Sequence, residues 1–174
     1  MENSLPTTAE RCMNMQLERM TAEDLPVIHD IENAANKFPW SLKNFQDSLQ
    51  AGYQGWVVRE AQQIIAFVLV QHILDEAHLL NICVRPDRQG RGLGRQLLNA
   101  VIDAVSRRGS NLIVLEVRRS NRRAQELYLS AGFNEMSIRR GYYPAVQGRE
   151  DAVLMGMTLM DADDNLFSQG NVSA

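Results

Sequence analysis

Residues 84–105 read VRPDRQGRGLGRQLLNAVIDAV, and this stretch decides the fold. It joins an apolar run to a loop with glycine at positions 90, 92 and 94, and then to apolar residues at helical spacing. Glycine lets backbone N–H groups approach a ligand closely, and the N-terminus of a helix attracts negative charge. The four arginines add positive charge. The stretch therefore predicts a strand, an anion-binding loop and a helix, with a pyrophosphate as the expected ligand.

Two common nucleotide-binding motifs do not fit this loop. A dinucleotide-binding GxGxxG motif would need glycine at position 95, where the sequence has Arg95. A Walker loop needs a lysine followed by serine or threonine, and the loop contains no lysine. Gln89, Gly92 and Gly94 instead form the pattern Q-x-x-G-x-G. Neither a dinucleotide site nor triphosphate hydrolysis is therefore expected.

The length and composition of the chain indicate one globular domain. Its 174 residues are enough for a single sizeable core rather than two. The hydrophobic fraction of 45% is that of an ordinary globular protein, and no apolar run is long enough for a membrane span. Polar, aperiodic ends predict a flexible extension over residues 1–14, a domain over 15–160 and a polar tail over 161–174. The N-terminus lacks a secretory-signal pattern, so the expected location is the cytoplasm.

Hydrophobic periodicity predicts the element order βααβββαβαββ. Thr21 and Ser41 are the expected caps of the first two helices, and Asn121 is the expected cap of the last. Three runs rich in β-branched residues, between positions 55 and 84, predict consecutive antiparallel strands. One βαβ crossover follows them. This order predicts a mixed α/β fold, with a mostly antiparallel sheet flanked by helices on both faces.

Charge and cysteine usage argue against several other functions. The net charge of −3 does not favour direct nucleic-acid binding, which needs a basic face. Paired arginines such as Arg122 and Arg123 are expected to be solvated. Cys12 and Cys83 are far apart and lack metal-ligand spacing, as do the three histidines, so neither a disulfide nor a metal site is predicted.

The glycine loop and the element order together resemble the acetyl-coenzyme A (acetyl-CoA) site and fold of the GCN5-related N-acetyltransferase (GNAT) family, over residues 15–160. Five segments narrow the resemblance to members that acetylate the N-terminal alanine of a small-subunit ribosomal protein. These segments are FPWS (38–41), LDEAHLLNICV (74–84), LEVRRSN (115–121), AQELYLSAGF (124–133) and RRGYYPAVQGREDAVLM (139–155). The resemblance implies direct acetyl transfer from acetyl-CoA to the α-amino group of that protein, without a metal.

Two residues are candidates for the proton transfers of such a reaction. Glu116 stands in an apolar strand, where a carboxylate is costly unless it faces a cleft, faces solvent or is paired, for example with Arg118 on the same strand face. The resemblance implies that Glu116 is the general base, directly or through a water, and that Tyr128 is the general acid. For Tyr128 the alternative is a core tyrosine. Because a phenol is a weaker acid than a thiol, we expect Tyr128 chiefly to hydrogen-bond the developing thiolate.

The resemblance also implies the coenzyme contacts. Backbone N–H groups in the strand before the loop are expected at the acetyl group, in Ile82, Cys83 and Val84. The remaining coenzyme contacts are expected from Gly90, Arg91, Gly92, Leu93, Gly94, Arg95 and Asn121. Acids and aromatics are expected around the acceptor groove, namely Glu32, Trp40, Asp75, Glu76, Tyr142, Tyr143, Glu150 and Asp151.

Two other functions stay open at this point. A related acetyltransferase could act on lysine side chains or a small amine, although the segments RRGYYP and FPWS disfavour it. A non-enzymatic coenzyme A-binding module would keep the glycine loop but would need neither Glu116 nor Tyr128. The presence of both residues favours an enzyme.

Overall fold

The computed structural model describes residues 15–159, so the predicted extension and tail lie outside the described residues, and the domain boundaries stay a prediction. The predicted order βααβββαβαββ is confirmed. The elements are β1 (Glu18–Arg19), α1 (Leu25–Ala35), α2 (Leu42–Gln50), β2 (Gln54–Glu60), β3 (Gln63–Ile73), β4 (Glu76–Val84), α3 (Leu93–Arg107), β5 (Leu112–Arg118), α4 (Arg122–Ser130), β6 (Asn134–Pro144) and β7 (Arg149–Thr158).

The described strands form one seven-stranded sheet in the order β1-β2-β3-β4-β5-β7-β6. The pairing of β4 with β5 is parallel, and every other pairing in this sheet is antiparallel. Helix α3 makes the crossover between the two parallel strands, as a parallel connection requires. The predicted mixed, mostly antiparallel sheet is therefore confirmed.

The two parallel strands part halfway along their length. They pair only where Glu76–Leu79 lies beside Leu112–Leu115. Just after this segment the register between β3 and β4 shifts, so that Leu80 has no partner on β3. Such a bulge bends a strand and increases its local twist. The second halves of β4 and β5 consequently border a gap in the sheet.

Apolar side chains cover both faces of the sheet. On one face α3 and α4 bury residues such as Leu97, Val101 and Tyr128 against the sheet. On the other face α1 and α2 bury a second cluster that includes Ile28 and Phe45. Helices therefore flank both faces, and the gap between β4 and β5 lies between the two layers.

Two of the predicted side-chain caps are present, at the N-termini of α2 and α4. The Ser41 hydroxyl accepts a hydrogen bond from the Asn44 N–H (3.2 Å), and the Asn121 amide oxygen accepts one from the Ala124 N–H (3.2 Å). Thr21 instead precedes a single 3₁₀ turn, where its N–H donates to the Asp24 carboxylate (2.9 Å). The α-helix that follows begins at Leu25.

Candidate active site

The loop before α3 has the backbone of an anion site. Gly90 and Gly92 adopt φ values of 75° and 79°, in the left-handed region that favours glycine. Apart from the flanking residues, no heavy atom of residues 15–159 lies within 4 Å of a Cβ added to either glycine, so the space beside them is open in this part of the chain. Gly94 differs, because its φ is not left-handed and an added Cβ would only touch Leu127 at 3.7 Å. Backbone conformation therefore demands glycine at two of the three positions.

The arginines of this stretch do not all face a ligand. Arg85 pairs with Asp87 (2.6 Å), and Arg88 pairs with Glu60 (2.6 Å). Arg91 is exposed. The positive charge that the four arginines were expected to add is therefore reduced, because acids that are close in space neutralise two of them.

Arg95 has a mixed role. Its guanidinium donates to the backbone carbonyl (3.0 Å) and the hydroxyl of Ser130, which ties the first turn of α3 to the end of α4. Its Nε is buried and has no hydrogen-bond partner within residues 15–159, although Arg95 lines a groove. One polar atom of this side chain is thus buried at the edge of the groove without a partner in the described residues.

A groove of about 430 Å³ lies over this loop, and we call it the loop groove. It is lined by Ala35, Asn36, Ile82, Cys83, Val84, Gln89, Gly90, Gly92, Gly94, Arg95, Asn121, Arg123, Ala124, Leu127 and Tyr128. Of the predicted coenzyme contacts, Arg91 and Leu93 are not among the lining residues, and Leu93 packs against the core. Arg123, expected to be merely solvated, does line it. Its position one residue into α4 could have suggested this.

A second groove runs along the gap between β4 and β5, and we call it the sheet groove. Its walls come from the α1–α2 connection, from both strands and from the end of β6. The lining residues are Glu32, Asn36, Lys37, Phe38, Pro39, Trp40, Leu79, Leu80, Asn81, Ile82, Leu115, Glu116, Val117, Arg118, Asn121, Tyr128, Tyr143 and Pro144. The two grooves meet, because both include Asn36, Ile82, Asn121 and Tyr128.

The strand before the loop presents alternate backbone groups to this gap. The Arg85 N–H donates to the Ile65 carbonyl on β3 (2.8 Å). Because successive N–H groups of a strand point to opposite edges, the Cys83 N–H also faces β3. The N–H groups of Ile82 and Val84 face the gap instead. Of the three predicted acetyl contacts, the Cys83 backbone therefore points to the wrong edge.

Tyr128 lies where the two grooves meet. Its side chain is buried, and its ring packs against Phe133 with 5.7 Å between centroids. Burial raises the pKa of the Tyr128 phenol well above its usual value, with a further contribution from Tyr143. Within residues 15–159 the structure records no hydrogen bond for the Tyr128 hydroxyl. This hydroxyl is therefore a protonated donor that a ligand can use.

Glu116 lines the sheet groove and is paired with a cation. Its Oε1 lies 2.7 Å from Arg139 Nη1, and its backbone carbonyl accepts a hydrogen bond from the Tyr143 hydroxyl (3.2 Å). Arg118, the neighbour that the sequence offered as a partner, pairs with Glu150 instead (2.7 Å). Sequence reasoning missed Arg139, because β6 comes beside β5 only through its pairing with β7.

The thiol of Cys83 is held in its neutral form. The side chain is buried, and burial together with the charge of Glu32 raises the pKa of the thiol to about 12. Since the thiolate is the nucleophilic form of cysteine, this residue is not activated for attack. The structure thus offers no support for an acyl-cysteine route through Cys83.

Glu32 is a buried carboxylate that shapes the sheet groove. It is only 2% exposed and accepts hydrogen bonds from the Asn36 side chain (2.8 Å) and the Trp40 N–H (3.0 Å). These contacts hold both ends of the segment 36–40, which forms one wall of the groove. Glu32 therefore positions this wall.

The other predicted acceptor residues separate into two groups. Trp40 and Tyr143 line the sheet groove, and a neighbouring pocket adds Glu76 and Tyr142. Three predicted acids are used elsewhere: Asp75 accepts from the Asn111 side chain (3.2 Å), Glu150 pairs with Arg118, and Asp151 accepts from the Gly141 N–H (2.9 Å).

Residues 15–159 contain neither a candidate metal cluster nor a candidate membrane-spanning helix. No group of three or more histidine, cysteine or acidic side chains in this part of the chain could hold a metal ion. Likewise, none of the helices described is both long and apolar enough to cross a membrane.

Comparisons with known proteins agree on one family. Residues 16–133 match the model of the Acetyltransferase (GNAT) family. The chain is 44% identical over 143 residues to the ribosomal protein bS18-alanine N-acetyltransferase of Escherichia coli K12, covering 82% of this chain and 97% of that protein. A protein of the same name from Haemophilus ducreyi is 41% identical over 144 residues, covering 82% and 99%. The crystal structure of the ribosomal-protein alanine N-acetyltransferase from E. coli superimposes with a TM-score of 0.80 at 43% identity, covering 87% of this chain and 98% of that one.

Proposed function

This chain belongs to the GNAT family of acetyltransferases, and from that premise we propose that it transfers the acetyl group of acetyl-CoA to the N-terminal alanine of a ribosomal protein. The identity of 44% with an alanine N-acetyltransferase, over nearly all of that protein, supports the substrate. The observation that carries the proposal is the meeting of two grooves at Tyr128, with Glu116 on the side of the sheet groove.

The loop groove is proposed to bind acetyl-CoA. The left-handed Gly90 and Gly92 bring backbone N–H groups and the N-terminus of α3 to one open surface, which suits a pyrophosphate. The guanidinium groups of Arg123 and Arg95 add positive charge along the same groove. The N–H groups of Ile82 and Val84 face the gap, where a thioester oxygen that gains negative charge would need donors.

The sheet groove is proposed to bind the acceptor amine. An α-amino group has a reference pKa of about 8, so a carboxylate at Glu116 need only remove a loosely held proton. Arg139 pairs with Oε1 of this carboxylate, and a hydrogen bond to Glu116 raises the pKa of Tyr142, so the amine or a relay water would share the carboxylate with these two side chains. Tyr128, still protonated because of its raised pKa, would donate a hydrogen bond to the departing thiolate. The amine would attack the thioester directly, and the buried, neutral Cys83 thiol would take no part.

The partner implied is the N-terminus of a ribosomal protein, and the proposed location is therefore the cytoplasm, where ribosomes are assembled. No direct contact with nucleic acid is proposed, since the net charge of the chain is −3. The chemistry proposed needs no metal ion.

Peptide acetylation tests this function directly. The purified chain is given acetyl-CoA and synthetic peptides that begin with alanine, serine or methionine, or that carry only an internal lysine. Mass spectrometry locates the acetyl group on each product. We expect acetylation of the α-amino group, with the alanine peptide as the preferred substrate. Acetylation confined to lysine would contradict the proposal, and binding of acetyl-CoA without transfer to any amine would favour a coenzyme-binding module.

A further inference from the structure

The guanidinium of Arg118 is held between two aromatic rings. Its central carbon lies 4.5 Å from the centroid of the Phe38 ring and 4.4 Å from that of Tyr143. Its Nη1 also donates to the Pro144 carbonyl (2.8 Å) and to the Glu150 carboxylate (2.7 Å). The side chain is only 21% exposed. Four separate contacts therefore fix this one group.

These contacts join parts of the chain that are distant in sequence. Phe38 belongs to the α1–α2 connection, Arg118 ends β5, and Tyr143 and Pro144 end β6. All four residues line the sheet groove. The Arg118 side chain therefore connects the two walls of the groove at one end.

The chemistry of the contact is specific to arginine. A planar guanidinium can stack on two rings and still direct its N–H groups to acceptors in its plane, whereas a lysine ammonium offers only a compact charge. Hydrogen bonding to Arg118 lowers the pKa of the Glu150 carboxyl, so this acid is charged at neutral pH. Neither Phe38 nor Tyr143 has another cation recorded against its ring within residues 15–159.

The adjacent Arg119 provides an internal comparison. It also pairs with an acid of β7, Asp151, but at 3.4 Å and with 54% of its side chain exposed. It does not line the sheet groove. Both neighbouring arginines therefore pair with an acid of β7, but only Arg118 connects the groove walls.

We propose that Arg118 is a positioning residue that clasps the Phe38 wall of the sheet groove to the Tyr143 wall, and so holds the groove closed around the end of the acceptor chain. This inference rests on the proposed function, because it takes the sheet groove to be the acceptor site. Arg118 touches no reacting atom in this role. Its effect is on how well an acceptor binds, and on whether a bulkier acceptor can enter.

The kinetic test compares Arg118→Met with Arg119→Met, which removes the neighbouring charge. In Arg118→Met we expect the KM for an alanine peptide to rise about 10-fold, with a much smaller change in kcat and no change in the acetyl-CoA Kd. Acetylation of an internal lysine should rise relative to the α-amine. Arg118→Lys should recover only part of the KM, and Arg119→Met should match the wild type. An unchanged KM in a folded Arg118→Met protein would overturn the clasp.

A second variant and a readout that does not depend on activity test the clasp further. Phe38→Leu removes one ring and keeps a partly buried apolar side chain, and it should raise the KM about 3-fold. Hydrogen exchange of residues 36–41 and 142–148 should be faster in Arg118→Met and in Phe38→Leu than in Arg119→Met. Equal exchange in all three would refute the clasp. If the wild type acetylates only lysine, the proposed function fails, while the exchange test and the KM for a lysine peptide still decide the role of Arg118.

Discussion

Arg139 and Glu116 form an ion pair between two strands that are not neighbours in the sheet, with 2.7 Å between Arg139 Nη1 and Glu116 Oε1. β6 lies beside β7, and β7 lies beside β5, so the long Arg139 side chain must reach past one strand to the carboxylate. Glu116 is mostly shielded from solvent, and a carboxylate in such a place is stabilised by a nearby cation. The proposed base is thus a paired carboxylate whose direction is fixed.

Removing this cation tests whether the pair positions Glu116. In Arg139→Gln we expect kcat/KM for the alanine peptide to fall about 10-fold, because the carboxylate loses its charged partner and a fixed orientation. Arg139→Lys should restore part of the rate. Steady-state kinetics give the measurement. Arg140→Gln, the exposed neighbour, serves as the control and should keep the wild-type rate; an equal loss in both variants would assign the effect to net charge.

Tyr128→Phe tests the hydroxyl separately from the ring. The ring packs in the core, and the structure records no hydrogen bond for the hydroxyl within residues 15–159, so the melting temperature should barely change. Turnover should fall by on the order of 10²-fold, with little change in acetyl-CoA affinity. Because burial raises the Tyr128 pKa, the wild-type rate should show no alkaline decline from ionisation of this phenol below about pH 10. Wild-type turnover in the variant would leave Tyr128 with a packing role only.

Substitutions at different glycines of the loop should weaken acetyl-CoA binding to different degrees. Gly92→Val places a β-branched residue at φ 79°, which strains the loop, so calorimetry should show a weaker acetyl-CoA Kd, by about 10-fold or more. Gly94→Ala should be milder, since its Cβ makes only an ordinary contact with Leu127. Gly109→Ala introduces similar strain at φ 91° beyond the far end of α3 and should leave the Kd unchanged. Equal Kd values for Gly92→Val and the wild type would contradict the loop assignment.

The sequence predicted the element order because local signals decide it. Residues such as Asn121 cap a helix through their immediate neighbours, and the apolar periodicity of α3 is contained in fifteen residues. Gly90 and Gly92 could be identified for the same reason, since a left-handed backbone is a local property. Gly94 could not be judged correctly in this way. Its place among the alternating glycines suggested that glycine is required there, but its φ is not left-handed.

The partners of the charged residues could not be predicted in the same way. Strand alternation offered Arg118 as one possible partner of Glu116, whereas the contacts of Arg118 with Phe38 and Glu150 depend on the α1–α2 connection and on β7, which meet the end of β5 only in the fold. The partner of Glu116 comes from β6, two strands away in the sheet. Strand order and register decide such pairs, and neither can be read from the periodicity of a single strand.

Glu116→Gln is the sharpest test of the mechanism, because a general base at this position predicts how the rate depends on pH as well as how large the rate is. The change keeps the size and the hydrogen-bonding reach of the side chain but removes its ability to accept a proton. If the amine must lose its proton in the complex, the variant should depend on the fraction of peptide that is already neutral. Raising the pH toward and past the amine pKa of about 8 should then recover part of the lost rate.

Three outcomes of the pH profile of kcat/KM for Glu116→Gln can be distinguished. We expect partial recovery at high pH, with a remaining deficit that reflects the lost positioning of the amine or its relay water. A loss that is constant across pH would mean that Glu116 binds the ammonium or orders the groove, and no loss at any pH would remove it from the mechanism. The Arg139→Gln, Glu116→Gln double variant separates these roles further. If Arg139 acts only through Glu116, adding Arg139→Gln to the Glu116→Gln protein should cost much less than the single change costs the wild type.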